Sequence, residues 1–152
     1  MPYSGADCLL MQKTKRWLDA SSPNTLAQQS RRLGWSTQAT SAKLTAADKA
    51  SGGCVVSARR GIGIYQHNIV NEAVEHRLCF AWIGGIIRGG MHCGSIWLKD
   101  SEGLSQTNQS ILVEAAASIG RLRGPWVLGG DWNMTPQVLA SSDWLAVVWK
   151  ES

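Results

Sequence analysis

No stretch of this 152-residue chain approaches the ~18–20 uninterrupted apolar residues of a membrane-spanning helix. A membrane partner is therefore not expected. The N-terminus has no basic region followed by a long apolar run, so a signal peptide is not expected either. There is no Cys-x-x-Cys pair: Cys8, Cys54, Cys79 and Cys93 are scattered, which argues against zinc and against a disulfide framework. Free thiols point to an intracellular protein, with the nucleus among the compartments that fit. Repeats and low-complexity linkers are absent, so residues 1–152 read as one domain. His67, His76 and His92 fall into no ligand spacing, nor do Glu75-His76 and Asp100/Glu102, and the histidines are read as surface or structural residues.

What is present is ordinary for a packed protein. Apolar residues make up 44% of the chain, enough to rule out wholesale disorder. Charge is uneven: residues 1–60 carry nine Lys or Arg against three acids, net +6, and residues 61–152 carry six against eight, net −2. A basic half is either a footprint for a polyanion such as nucleic acid or a solvated surface. Most of the eight tryptophans are expected in the core, with a few able to stack on bases.

Local signals divide the chain into short elements. Asp7 to Met11 reads as a buried strand. Ser22-Pro23 reads as a helix start, the helix running to Leu33 with Arg31 and Arg32 in its last turn and Gly34 as the stop. Trp35 to Ser41 alternates like an edge strand, and the polar segment Lys43 to Gly53 reads as a loop. Strands are expected over Cys54 to Arg59 and on through Gly61 to Tyr65. Arg77 to Ile87 and Met91 to Leu98 read as antiparallel partners joined by a Gly-rich turn. A helix is expected from Gln106 to Leu122 on the apolar face Ile111, Ala115, Ile119 and Leu122, and a short one from Gln137 to Leu145.

The most telling segment is Gly129-Gly130-Asp131-Trp132-Asn133-Met134-Thr135-Pro136, entered through the apolar run Trp126-Val127-Leu128. The run reads as a buried strand, and the glycines let the backbone pass close to a neighbour or a ligand. Asp131 and Asn133, two residues apart, point to the same side if the chain stays extended. A carboxylate beside an amide at the carboxyl end of a strand can orient a water and hold a phosphate oxygen. The same residues also suit a capped loop, Asp and Asn being turn formers.

The segment resembles the Gly-Asp-Phe-Asn-x-x-Pro signature of the endonuclease/exonuclease/phosphatase superfamily, with Trp132 in place of Phe. Three weaker likenesses precede it: Asp7-Cys8-Leu9-Leu10-Met11-Gln12-Lys13-Thr14-Lys15, Ser51-Gly52-Gly53-Cys54-Val55-Val56, and Ile96-Trp97-Leu98 followed by Asp100-Ser101. Together they span roughly residues 6 to 140, most like retroelement-type and apurinic endonucleases. The resemblance implies a deoxyribonuclease-I-like α+β fold, a partial two-sheet β-sandwich flanked by helices. It implies hydrolysis of phosphoester bonds, in nucleic acid, with Mg²⁺ or Mn²⁺ polarising the phosphate. Asp131 would orient or deprotonate the attacking water and Asn133 would bond the phosphate, with Gln12 and Trp97 as substrate contacts.

Three departures bear on that chemistry. Lys13 stands where the family has its metal-binding Glu, and an ammonium has no lone pair to offer a cation. Trp97 replaces a Tyr. The family's terminal Ser-Asp-His is not present, and neither is its first Asn-bearing strand, so the chain is expected to be truncated at both ends relative to the family. The reading is a phosphodiesterase-like domain impaired as given. The alternatives are a non-catalytic remnant that binds nucleic acid or protein, and a small-molecule, inositol-type phosphatase. Two geometric expectations follow. Gln12, Lys13, Trp97, Asp131 and Asn133 should converge at one end of the sheets. Trp126 to Leu128 should form a central strand beside Asp7 to Met11, and placement of the two in separate sheets would sink the fold assignment.

Overall fold

The computed structural model describes residues 6–15, 23–46 and 49–151. In chain order the elements are β1 (Cys8–Met11), α1 (Pro23–Arg32), β2 (Trp35–Ala39), β3 (Ala42–Leu44), β4 (Ala50–Gly52), β5 (Val55–Arg59) and β6 (Ile64–Gln66). They continue with β7 (Leu78–Ile83), β8 (Met91–Trp97), α2 (Gln106–Gly120), β9 (Trp126–Asp131), α3 (Pro136–Ala140) and α4 (Trp144–Glu151). A 3-10 turn, Glu75–Arg77, precedes β7. The class is mixed α+β: a three-stranded sheet ordered β1-β5-β2, a four-stranded sheet ordered β6-β7-β8-β9, and a small β3-β4 hairpin.

Side-chain alternation along β7 explains the layering. Leu78 and Phe80 join Ile96, Leu98, Ile111, Ala115, Ile119 and Trp144 in one core, between the four-stranded sheet and the helices α2 and α4. Cys79, Ala81 and Ile83 point the other way, into a second core shared with Cys54, Val56 and Ala58 of the three-stranded sheet. The four-stranded sheet is thus covered on both faces. Each fully buried large side chain, such as Phe80 or Ile96, contributes about 1.5–3 kcal/mol by leaving water.

The helices follow their local signals. The end of α1 at Arg32 is followed by Gly34 at φ +83, the left-handed stop that glycine supplies without strain. Its expected cap, Ser22, lies outside the described residues. Ser105 caps α2, its hydroxyl accepting from the Asn108 N–H at 3.3 Å. Thr135 caps α3 in the same way, with Pro136 in the first turn.

Several expectations are corrected. Trp126 to Leu128 do not lie beside Asp7 to Met11. β9 pairs in parallel with β8, while β1 pairs antiparallel with β5, so the two runs belong to different sheets. They meet face to face instead, where a Cβ on Gly129 would sit 2.8 Å from Leu10 Cδ1. The apolar run is not wholly buried either, Val127 being 41% exposed. Apolar composition says that a strand is covered, not which neighbour supplies its hydrogen bonds, and β5, buried from Val55 to Ala58, takes the central place beside β1. β9 also lies at the edge of its sheet and not in a central place, so the condition set against the finer family fold is met while the α+β class stands.

Lys43 to Gly53 is not a simple loop, since Ala42–Leu44 and Ala50–Gly52 pair as a hairpin. Three-residue strands are too short for alternation to reveal. The single helix expected over Gln137 to Leu145 is two, α3 and α4, broken where Asp143 takes φ +55 and Ser142 Oγ accepts from the Trp144 N–H. No helix among the described residues is long and apolar enough to cross a membrane, and all four cysteines are free thiols.

Candidate functional site

A glycine corner sets the site's positions. Gly52 and Gly53 have φ +94 and +85, and a Cβ on either would overlap a neighbour: the His76 carbonyl at Gly52, Thr14 Oγ1 at Gly53. The corner holds two segments at once. Gly53 N–H donates to the His76 carbonyl at 2.8 Å, while Thr14 N–H and Lys15 N–H donate to the carbonyls of Gly53 and Gly52. The residues that follow β1 and the turn that precedes β7 are thereby brought to one end of the sheets. Lys13 and Lys15 both sit in the left-handed region, at φ 56 and 53.

Lys13 Nζ lies 2.7 Å from Asp131 Oδ2 and 5.3 Å from the centre of the Trp97 ring. The parallel register of β8 and β9 places Trp97 opposite Asp131. That register needs glycine at 130, because a Cβ there would overlap the Ile96 carbonyl. So the glycines of the motif serve the approach of β9 to β8. Gln12 comes to the same end, its Nε2 donating to Ser95 Oγ at 2.9 Å while Ser95 Oγ donates to the Met11 carbonyl at 3.0 Å. Gln12 is committed to joining the two sheets.

Asn133 does not continue an extended strand beside Asp131. Its φ is +48, a conformation Asn tolerates better than most residues, and its Nδ2 donates to the Leu98 carbonyl at 2.6 Å. Leu98 N–H in turn donates to the Asp131 carbonyl at 2.9 Å. The amide therefore pins the β9 exit to the β8 exit. The structure brings Gln12, Lys13, Trp97, Asp131 and Asn133 to one end of the sheets, with Gln12 and Asn133 occupied by structural hydrogen bonds.

Arg77 was not singled out in the sequence, where it reads only as the start of a strand. Its guanidinium stacks 4.1 Å from the Trp97 ring, and the residue is 7% exposed. Among the described residues neither Arg77 Nη1 nor Trp97 Nε1 has a hydrogen-bond partner, although both atoms are buried. Burial pulls the arginine's pKa below its ordinary value, with Cys54 and Glu102 opposing, yet an arginine stays charged. His76, beside it, is pushed down to about 4, by burial first and then by Arg77 and Lys43. No local pattern marks Arg77; only its meeting with Trp97, twenty positions along the chain, gives it a place.

The side chains do not fit a divalent cation. Asp131 is taken by an ammonium that repels cations, and Asn133 turns its amide nitrogen to Leu98. Among the described residues no group of three or more His, Cys, Asp or Glu gathers to hold a metal. What the arrangement offers is positive charge and N–H donors around an indole, suited to anions. No family model matches the chain, and no curated protein matches it.

Proposed function

We propose that the chain is a phosphate-engaging domain akin to the endonuclease/exonuclease/phosphatase superfamily, with nucleic acid as its ligand and little or no metal-dependent turnover. The Lys13–Asp131 ion pair beside Trp97 carries this reading. Asp131 stands where the resemblance puts the water-orienting carboxylate, but Lys13 neutralises it and no metal step runs through the pair. Phosphate oxygens approaching this end meet the Lys13 ammonium and the Trp97 indole, a charge and a flat surface that suit a backbone and a base. The net +6 of residues 1–60 adds sequence-independent attraction.

The test is a fluorescent cleavage assay with Mg²⁺ on abasic, single-stranded and duplex DNA, run beside binding at several salt concentrations. The variants are Lys13→Glu and Asp131→Ala. Losing one transition-state partner commonly costs ~10²–10³ in rate, and groups that act as a unit do not fail additively. The unmodified chain should bind DNA with an affinity that falls as salt rises, and should cleave none of the substrates. Lys13→Glu should gain Mg²⁺ affinity, through a second carboxylate beside Asp131, without gaining turnover. Cleavage by the unmodified chain that vanishes in Asp131→Ala would overturn the non-catalytic part, and absence of salt-sensitive binding would overturn the ligand class.

A further inference from the structure

We infer that a basic cavity lined by Arg77, and not by Lys13 or Asp131, is a binding pocket for a phosphoryl group. The cavity holds about 440 Å³ and is lined by Lys43, His76, Arg77, Lys99, Thr107 and Ser110, among others. None of its lining residues is acidic. Glu102 lies nearby, pairing with Lys99 and accepting from Ser105 Oγ at 2.9 Å, and Glu72 and Glu75 line an adjoining cavity together with Lys43 and His76. Lys99 and Ser105 hold the Glu102 carboxyl below the usual range, so it stays ionised and offsets one of the three permanent cations. Lys43 and Arg77 are left without an acid among the lining residues.

Three observations converge on an anion. Arg77 is 93% buried by its 7% exposure, lines the cavity, and has an Nη1 with no hydrogen-bond partner among the described residues. The positive end of α2 opens on the cavity through Gln106 and Thr107, and its first turn contains no acid to neutralise it. Thr107 adds a hydroxyl able to donate to a phosphoryl oxygen, while the Ser110 hydroxyl donates to the Gln106 carbonyl at 2.9 Å. His76 is held below its ordinary pKa by burial first, with Arg77 and Lys43 adding to it.

The pocket is separate from the Lys13–Asp131 pair, and the proposal stands whether or not that pair contacts nucleic acid. Inorganic pyrophosphate is the first probe, followed by titration calorimetry and by proton NMR of the His76 imidazole at physiological ionic strength. The unmodified chain should bind one pyrophosphate saturably and shift the His76 resonance. A Lys43→Gln, Lys99→Gln double variant removes two exposed side chains and should weaken binding about tenfold or more, as two charge-assisted contacts are lost. Arg88→Gln, in the turn between β7 and β8, should bind as the unmodified chain does. Absence of saturable binding, wild-type affinity in the double variant, or an equal loss in Arg88→Gln would each overturn the pocket. A single-stranded oligonucleotide is then added to the pyrophosphate complex. Displacement at His76 assigns the phosphoryl group to a nucleic-acid backbone, and its absence assigns it to a small phosphorylated ligand; both keep the pocket.

Discussion

Lys13 and Arg77 both reach the indole of Trp97, at 5.3 and 4.1 Å, but in different company. Lys13 is 39% exposed at its side chain and has a carboxylate 2.7 Å away. Arg77 is buried, faces a cavity with no acidic lining residue, and among the described residues keeps a nitrogen without a hydrogen-bond partner. A cation–π contact is worth about 0.5–1 kcal/mol at the surface and about 2 or more when desolvated, so the arginine side holds the stronger contact with the indole. The comparison teaches that resemblance to a catalytic motif and readiness to take a ligand need not coincide. The motif's own carboxylate is paired with Lys13, while the Arg77 guanidinium keeps a nitrogen without a hydrogen-bond partner among the described residues.

The largest expected effect comes from the support of the arginine side. Asn108 is fully buried and receives Lys99 N–H at 2.7 Å while donating to the carbonyls of Lys99 and Gly103 at 3.0 and 2.8 Å. Asn108→Ala orphans those groups and should cost about 2–4 kcal/mol in urea unfolding. It should also weaken pyrophosphate binding, because the loop bearing Lys99 loses its anchor. A cost below about 0.5 kcal/mol, the range of ordinary surface changes, would show that the loop is held otherwise.

A smaller effect separates the two sides by pH. The folded pKa of His76 is about 4, below the ordinary 6.5 that it regains on unfolding. Between those values the unfolded chain binds a proton that the folded chain does not. Stability from this group is therefore full above about pH 6.5 and is lost as pH falls toward 4. His76→Gln should flatten that part of a urea-midpoint profile, and a profile as steep as the parent's would place the acid lability elsewhere. The smallest effect is expected from the lysine side. Lys13→Met removes a half-exposed ion pair and should change stability by no more than about 1 kcal/mol, with high salt weakening the difference further. A loss of several kcal/mol would make the pair a structural keystone and reverse the comparison.

Much of the local order was legible. The stop of α1 at Gly34, the extent of α2 to within two residues, and the antiparallel partnership of β7 and β8 all follow from caps, periodicity and turn glycines. Less legible were pieces with weak or divided signals. The β3-β4 hairpin is too short to alternate, and the break between α3 and α4 depends on Asp143 taking a positive φ that nothing nearby demands. At the site, Asp131 and Asn133 were visible as a motif. Their expected side-by-side posture was not met, because the Leu98 carbonyl captures the Asn133 amide.

The sequence by itself determined what depends on neighbours along the chain, such as where Thr135 and Pro136 start a helix, while the need for glycine at 130 came only from the approach of β9 to the Ile96 carbonyl. It also put a lysine where the resemblance would place a carboxylate, and an ammonium offers a cation no lone pair. Tertiary structure decided the rest. Which strand flanks β9, which atom holds Asn133, and which cation shares Trp97 with Lys13 are contacts between residues tens of positions apart. Hydrophobic pattern fixes that such segments are covered, but hydrogen-bond partners and charge partners are chosen only when the sheets close on one another.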